Sequence, residues 1–266
     1  MDLKLRGRRA LVTGSSAGLG EATARLLAAE GAGVIIHGRS ADKPTVVAES
    51  IRADGGTTAI AVGDLATDEG ADAVAAAALA DGPVDILVNN AGIYDQLSWT
   101  EATPDIWASI YNVNVISAVR MIQRIVPGMR ERGWGRVVQI GGGLGSQPMA
   151  AAPHYNASLA ARHNLAVSLA RELGDTGITS NIVSPGAILV DSVRELVTQI
   201  AAARGWSGTW EQIEHAASAE WVPNDVGRLG RPDEIAGAVA YLCSDYAAYI
   251  SGATIRVDGG TIRSAF

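Results

Sequence analysis

The sequence has little of several residue types, and each shortage narrows what the protein can be. It contains one cysteine, Cys243, among 266 residues. A single thiol cannot form an intramolecular disulfide or a thiolate metal cluster, a pattern that fits a reducing compartment. We therefore expect a cytoplasmic protein without a metal site, in which Cys243 is a small buried hydrophobic side chain.

Long apolar runs and an excess of basic residues are also missing. No stretch of about 18 apolar residues occurs, and residues 1–6 carry charges without an apolar core. The formal net charge of -7 would repel phosphate backbones and anionic lipid surfaces. We therefore expect neither a nucleic acid nor a membrane as a partner.

Short apolar runs alternate with longer amphipathic segments along the chain. The runs lack polar alternation, which is typical of parallel strands buried on both faces, and the segments between them are long enough for crossover helices. This pattern predicts a doubly wound, Rossmann-like α/β sheet in a single domain over residues 1–266. The predicted strands are residues 9–13, 34–37, 58–62, 84–89, 136–140 and 178–183.

Two later segments differ in how clearly they can be interpreted. Thr103, Pro104 and Asp105 form a strong helix start, and that helix would bring Asn114 toward the carboxyl edge of the sheet. Residues 187–222, by contrast, have no regular pattern. We expect them to form an insertion that covers a small-molecule site.

The first predicted strand leads directly into a glycine-rich turn with the sequence Thr-Gly-Ser-Ser-Ala-Gly-Leu-Gly. Gly14 suits a tight turn, Gly18 lets the backbone approach an anion, and Gly20 lets the next helix begin against the strand. An ordinary turn between strand and helix is the structural alternative. The position after the first strand favours a dinucleotide pyrophosphate site.

The spacing TGxxxGxG resembles that of the short-chain dehydrogenase/reductase family, in particular its 3-oxoacyl-(acyl-carrier-protein) reductase-like members. Asn-Asn-Ala-Gly at 89–92, Asp-Leu at 64–65, Tyr155 and Pro-Gly at 185–186 extend the resemblance along the chain. The resemblance implies a nicotinamide cofactor and a homodimer or homotetramer. The cofactor-binding residues implied are Gly14, Ser16, Gly18, Leu19, Gly20, Arg39, Asp64, Leu65, Asn90, Ala91, Gly92, Tyr155, Pro185, Gly186 and Ile188.

The end of the second predicted strand bears on which nicotinamide cofactor is used. In the resembled family an acidic residue there binds the adenosine ribose, whereas this chain has Gly38 and Arg39. Glycine leaves room, and the guanidinium is a planar donor suited to a 2′-phosphate. We therefore expect NADP(H), with NAD as the alternative.

The resemblance also implies a catalytic set of Asn, Ser, Tyr and Lys, of which only two are present. Asn114 and Tyr155 match, but Gly142 stands at the serine position and Leu159 at the lysine position. Losing one carbonyl donor costs on the order of 10²-fold to 10³-fold when it acts like an oxyanion-hole group. We therefore expect an altered active site.

Four nearby residues bear on this altered site. Arg162 lies two helical turns after Tyr155 and could reach back to the phenol, or it could face a partner subunit or solvent together with His163. Ser146 could supply the missing hydroxyl or be an ordinary turn residue. His154 is expected to line the substrate pocket, and Val190 replaces a threonine that relatives often use to hold the nicotinamide.

Three functions remain open from the sequence. The first is an NADP(H)-dependent oxidoreductase that acts on a carbonyl or alcohol through Tyr155. The second is a non-redox lyase, isomerase or cyclase on the same scaffold, and the third is a catalytically silent subunit that binds the nucleotide.

Overall fold

The computed structural model describes residues 2–264, and its central element is a sheet of seven strands. The strand order is β3-β2-β1-β4-β5-β6-β7, and every pair of neighbours is parallel. The order reverses between β1 and β4, which confirms the predicted doubly wound α/β fold. The strands are β1 Arg9–Val12, β2 Gly33–Gly38, β3 Thr57–Val62, β4 Ile86–Asn89, β5 Gly135–Ile140, β6 Ile178–Pro185 and β7 Thr254–Val257.

Each of the six predicted strands matches an observed strand to within two residues at either end. The largest extension is in β6, which continues to Pro185 because that residue still pairs with Val257 of β7. β7 itself has no predicted bounds. Its four residues alternate between exposed and half-buried positions at the edge of the sheet, so it lacks the continuous apolar run of the central strands.

Helices cover both faces of the sheet and create two apolar cores. Leu27 and Val239 belong to the core on one face, whereas Val74 and Met121 belong to the core on the other. Within residues 2–264, no helix is long and apolar enough to span a bilayer. The helices are α1 Gly18–Ala29, α2 Asp42–Ala53, α3 Asp68–Leu79, α4 Pro104–Tyr111, α5 Ser117–Arg132, α6 Pro153–Glu172, α7 Asp191–Arg204, α8 Trp210–Glu220 and α9 Pro232–Cys243.

The predicted helix start at Thr103 is observed. The Thr103 hydroxyl accepts a hydrogen bond from the Ile106 N–H at 3.5 Å, and Pro104 occupies the first turn of α4. The helix then passes through a π-helical turn, Asn112–Ile116, before α5 continues. Such turns often occur at functional sites, and this one contains Asn114.

The irregular segment 187–222 folds largely as two helices, α7 and α8. They pack through a small apolar cluster that contains Val197, Ala217 and Leu229. A capping box between Thr209 and Gln212 starts α8. These helices cover the carboxyl edge of the sheet beyond β6.

Candidate functional site

A cavity of about 680 Å³ opens at the carboxyl ends of the strands, beside the switch between β1 and β4. Ligands of open α/β sheets bind at this place. The predicted site residues that line it are Gly14, Gly18, Leu19, Gly20, Asn90, Gly92, Asn114, Tyr155, Pro185, Gly186 and Ile188. Ser16, Arg39, Asp64, Leu65 and Ala91 lie in the loops that follow β1 to β4 but are not among the lining residues.

The glycine-rich turn has the geometry of an anion cradle. Gly14 and Gly18 have positive φ angles of 64° and 59°, which favour glycine. A Cβ atom on Gly20 would stand 2.3 Å from the carbonyl oxygen of Gly14. The turn therefore has no room for a side chain at Gly20, and α1 begins with free backbone N–H groups beside the cavity.

The segment after β4 holds this turn in place. The Thr13 hydroxyl accepts hydrogen bonds from the N–H groups of Asn90 and Ala91, at 3.0 and 2.9 Å. The Asn90 side-chain amide donates to the carbonyl oxygens of Thr13 and Gly14, at 2.9 and 3.1 Å. Asn90 therefore acts on the shape of the turn through these contacts.

His37, at the end of β2, holds the turn from the other side. Its Nδ1 accepts the backbone N–H of Gly14 at 2.8 Å, and its Nε2 donates to the carbonyl oxygen of Gly63 at 3.1 Å. Burial lowers the pKa of His37, so the neutral ring that these contacts need is favoured. The sequence pattern did not indicate this role, although a histidine ending a buried strand is an unusual residue there.

Arg39 follows β2 on the surface near the start of α2. Its side chain is exposed, and within the described residues it has no hydrogen-bond or ion-pair partner. Asp64, after β3, is also exposed and accepts the Ala66 N–H at 3.0 Å. The Arg39 guanidinium is therefore available to bind an anion.

Tyr155 stands in the first turn of α6 and lines the cavity. The ring of Tyr94 meets it edge-on, with centroids 4.9 Å apart and planes at 75°. Burial raises the pKa of Tyr155, Arg162 opposes that rise, and Tyr94 adds to it. The phenol is therefore protonated across the neutral range.

Asn114 connects the substrate side of the cavity to the helix that carries Tyr155. Its side chain donates to the carbonyl oxygen of Ile93 at 3.0 Å and to the Ser158 hydroxyl at 3.1 Å, and it accepts the Ile93 N–H at 2.8 Å. Ser158 in turn donates to the carbonyl oxygen of Tyr155 at 2.8 Å. Ser158 is a buried linking residue that the sequence pattern did not single out.

Gly142 and Leu159 form one continuous apolar wall of the cavity. A Cβ atom on Gly142 would stand 2.9 Å from Leu159 Cδ1, so the leucine side chain occupies the space beside the glycine. Ser146 is exposed and is not among the lining residues. The structure therefore gives no support to Ser146 as a replacement hydroxyl.

Arg162 is buried within the protomer, at 4% exposure. Its Nη1 donates to the carbonyl oxygen of Ile140 at 2.6 Å, and its Nη2 donates to those of Ala91 at 2.9 Å and Asn89 at 3.3 Å. The alternative that Arg162 faces solvent or a partner is therefore wrong. The long side chain reaches the ends of β4 and β5 from a helix that packs on β5 and β6.

The expectation that His154 lines the substrate pocket is also wrong. The residue is fully buried, its Nε2 is hydrogen-bonded to the carboxylate of Asp95, and it is not among the residues that line the cavity. Successive residues of a helix point about 100° apart, so His154 turns away from the cavity that Tyr155 faces. Its imidazole packs near Trp107 instead, at 6.1 Å between ring centroids.

Comparison with known proteins agrees with this geometry. A family model described as short chain dehydrogenase matches residues 8–201. The oxidoreductase YvaG of Bacillus subtilis is 35% identical over 269 residues, covering 100% of both chains. The 3-oxoacyl-(acyl-carrier-protein) reductase FabG of Pseudomonas aeruginosa is 36% identical over 263 residues, which cover 98% of this chain and 100% of that protein.

A solved structure of L-sorbose reductase from Gluconobacter frateurii, in complex with NADPH and L-sorbose, has a similar fold. The TM-score is 0.93 at 33% sequence identity, and the match covers 99% of this chain and 100% of that one. The family model spans most of the chain, and these relatives match it nearly from end to end. The chain therefore belongs to the short-chain dehydrogenase family and is an NAD(P)-dependent oxidoreductase.

Proposed function

We propose that the protein is an NADP(H)-dependent oxidoreductase that reduces a carbonyl compound, or oxidises the matching alcohol, in a non-standard active site. The observation that carries this proposal is that one cavity contains both the glycine cradle and the Tyr155 phenol. Its walls bring the anion-binding end of α1 and a proton donor to the same ligand.

The proposed cofactor is NADP(H), with NAD as the alternative. The glycine turn fits a pyrophosphate, because α1 begins with free backbone N–H groups beside the cavity, and unpartnered Arg39 suits a 2′-phosphate. The similar L-sorbose reductase was solved with NADPH, which supports this choice. When bound, a reduced nicotinamide supplies hydride to the carbonyl carbon.

The chain itself would supply the proton. As a carbonyl carbon gains hydride, the Tyr155 hydroxyl donates its proton to the developing alkoxide oxygen, and the reverse transfer accompanies alcohol oxidation. Asn114 and Ser158 fix the helix turn that carries the phenol. Gly142 and Leu159 offer no polar side-chain atom, so we propose that Tyr155 is the main side-chain donor to the substrate oxygen.

We infer that the substrate is uncharged and largely apolar around its reacting carbon. Of the described residues that line the cavity, Arg162 alone carries a formal charge at neutral pH, and its guanidinium is already bound to backbone carbonyls. Apolar side chains are numerous in the lining and include Leu144, Met149, Val193, Leu196 and Trp221.

The test is to follow NADPH oxidation with a panel of carbonyl compounds that includes L-sorbose, a 3-oxoacyl thioester and a charged 2-oxo acid. We expect turnover with an uncharged member and a loss of at least 100-fold in kcat/KM for Tyr155→Phe. An NADPH-dependent rise in Tm without turnover of any member would contradict the proposal and favour a silent nucleotide-binding subunit. Product formation without nicotinamide would favour the non-redox alternative.

We also propose that the protein forms a homodimer or homotetramer. β7 leaves one edge of the sheet unpaired within the described chain, and Ile116 is 41% exposed at the junction before α5. An open strand edge and an exposed apolar side chain are both surfaces that a second copy can cover.

A further inference from the structure

Arg162 is a buried cation without an acidic partner. Among the described residues it forms no ion pair, and only backbone carbonyl oxygens accept its hydrogen bonds. Burial lowers its pKa to about 10, so it keeps its charge at neutral pH. An unpaired buried charge lowers the stability of the folded protein. Because this one lies at the cavity wall, Arg162 is a candidate functional residue.

The guanidinium is held at the end of the sheet where the chemistry is proposed. Its three acceptors are the carbonyl oxygens of Asn89, Ala91 and Ile140, at the carboxyl ends of β4 and β5. A guanidinium has five N–H donors, and Nε has no acceptor among the described residues. The carbonyls therefore fix the orientation of the group without cancelling its charge.

Tyr155 and Arg162 face the same cavity from one helix. They are seven residues apart, so their directions differ by only about 20° after two turns, and helical side chains lean toward the N-terminus, where Tyr155 stands. Arg162 Nη1 and Asn114 Oδ1 lie 3.8 and 3.2 Å from the point where a Cβ on Gly92 would stand. The cation therefore sits beside the linkage that positions Tyr155.

Among the described residues that line the cavity, no other side chain is charged at neutral pH. The ionisable residues that line the cavity are Tyr94, Tyr155 and Arg162, and they come from the segment after β4 and from α6. Tyr94 is neutral at physiological pH, since its pKa is raised by burial and by Asp95. Among the neighbouring groups that shift the pKa of Tyr155, Arg162 is the one that favours the phenolate.

We propose that Arg162 is a positioning residue that stabilises the phenolate form of Tyr155, in the place of the lysine that Leu159 replaces. The use of this charge in catalysis rests on the proposed function, but its action on the phenol does not. Stabilising the phenolate eases proton transfer to the alkoxide and its return during alcohol oxidation.

The experiment is a tyrosinate titration of the cofactor-free protein by ultraviolet difference absorbance, with Tyr155→Phe subtracted to isolate one phenol. We expect Arg162→Gln, which keeps hydrogen-bond donors but loses the charge, to raise the pKa of Tyr155, so that less tyrosinate forms at a given alkaline pH. Arg162→Lys should restore it. Because Arg162→Gln could unfold, a double variant with Leu159→Lys and Arg162→Leu provides a second test and should also keep the lower pKa.

Arg136→Gln is the matched control. Arg136 is buried at 2% exposure and donates to the backbone carbonyls of Gly135 and Gly177, but it stands at the opposite end of β5. The Arg136→Gln substitution should lower the free energy of unfolding and leave the titration of Tyr155 unchanged. An unchanged pKa in Arg162→Gln, or equal shifts in both glutamine variants, would overturn the inference.

The titration needs no turnover, so the two proposals can fail separately. A shifted pKa in a protein that reduces no carbonyl would leave the action of Arg162 intact and reject the proposed function. Turnover of a carbonyl compound with an unshifted pKa would support the proposed function and reject the action of Arg162 on the phenol.

Discussion

At the scale of single residues, the protonation state of Tyr155 has the largest consequence for activity. Burial raises its pKa above the ordinary value of 10 despite the opposing charge of Arg162. Carbonyl reduction needs the protonated phenol and should stay constant as pH rises to 10. Alcohol oxidation needs the phenolate and should keep rising about tenfold per pH unit over the same range.

The measurement is kcat/KM against pH in both directions, with a substrate found in the panel. Tyr155→Phe is the control, since any pH dependence that it retains belongs to another group. A plateau in the oxidation profile near pH 7 would show that the phenol is much more acidic than its burial allows.

Gly142 and Leu159 should behave as a coupled pair. Gly142 has φ of -179°, an extended conformation that any residue adopts, so only the contact with Leu159 opposes a side chain there. We expect Gly142→Ser to lower the free energy of unfolding by about 1–3 kcal/mol through overpacking. With Leu159→Ala already present, the added cost should be near zero, because the clashing methyl group is gone.

A double-mutant cycle measured by denaturant unfolding tests this coupling. Gly143→Ser, whose Cβ would meet Ile262 instead, is the control and should show no coupling to Leu159. Additive changes in the free energy of unfolding for the substitutions at 142 and 159 would mean that the two side chains do not contact each other in the cavity wall.

Single residues were also the hardest part of the site to predict. The spacing of Tyr155 and Arg162 allowed contact from one helix face, but a partner subunit or solvent remained the alternative, because the three carbonyl acceptors lie at strand ends distant in sequence. His37 and Ser158 were missed for the same reason. Their partners, Gly14 and Asn114, become neighbours only when the sheet assembles.

At the scale of elements, the glycine turn and the start of α1 set the affinity for the cofactor. Gly20→Ala would place a methyl group 2.3 Å from the Gly14 carbonyl oxygen and 2.5 Å from the Asn90 side-chain amide. Backbone cannot yield as a flexible side chain does, so the turn must move. We expect NADPH to bind at least 10-fold more weakly, measured by calorimetry or by the NADPH-dependent shift in Tm.

Gly237→Ala in α9 is the control, because nothing lies within 4 Å of its Cβ position. A helical glycine replaced by alanine should raise the free energy of unfolding by up to about 1 kcal/mol, with NADPH affinity unchanged. Equal affinities for NADPH in both variants would contradict the proposal that the glycine-rich turn binds the cofactor.

The contact between β2 and the glycine turn should make stability depend on pH. Since burial lowers the pKa of His37 below 6.5, the unfolded chain takes up its proton first as the pH falls. The stabilisation from neutral His37 is therefore complete above pH 6.5 and is lost as the pH falls toward the lowered value. Protonation also removes the Nδ1 acceptor of the Gly14 N–H.

The free energy of unfolding of the protein should therefore fall more steeply between pH 7 and 5 than that of His37→Asn, which has no titrating ring. Comparing the two variants removes the effect of His163, whose pKa burial also lowers. Parallel curves would mean that His37 has the same pKa in the folded and the unfolded protein, and would contradict the prediction.

At the scale of the whole molecule, the sequence was a good guide because the fold depends on apolar pattern. Buried strands such as β4 and β5 carry continuous apolar runs, so their positions were predicted to within two residues. Segment 187–222 was not interpretable, since α7 and α8 expose most of their surface and bury only a few residues such as Val197 and Ala217. Edge strand β7 was obscured in the same way.

The proposed assembly can be checked by light scattering on the purified chain. We expect a mass of two or four times 27.4 kDa. Ile116→Lys, which adds a charge to an exposed apolar position, should shift the distribution toward smaller species. A monomer at all concentrations would contradict the proposed assembly. Val46→Lys, at an exposed position of α2, is the control for Ile116→Lys and should leave the mass distribution unchanged.

The buried charge of Arg162 also constrains how such a site can evolve. A chain with lysine at 159 and a neutral residue at 162 cannot reach this arrangement by one substitution. Every single-step route passes either through a protein with two cations about one helical turn apart at buried positions, or through one with neither cation. We expect the first to be destabilised by repulsion and the second to leave the phenol without the counter-charge that we propose, so each intermediate should lose either stability or activity.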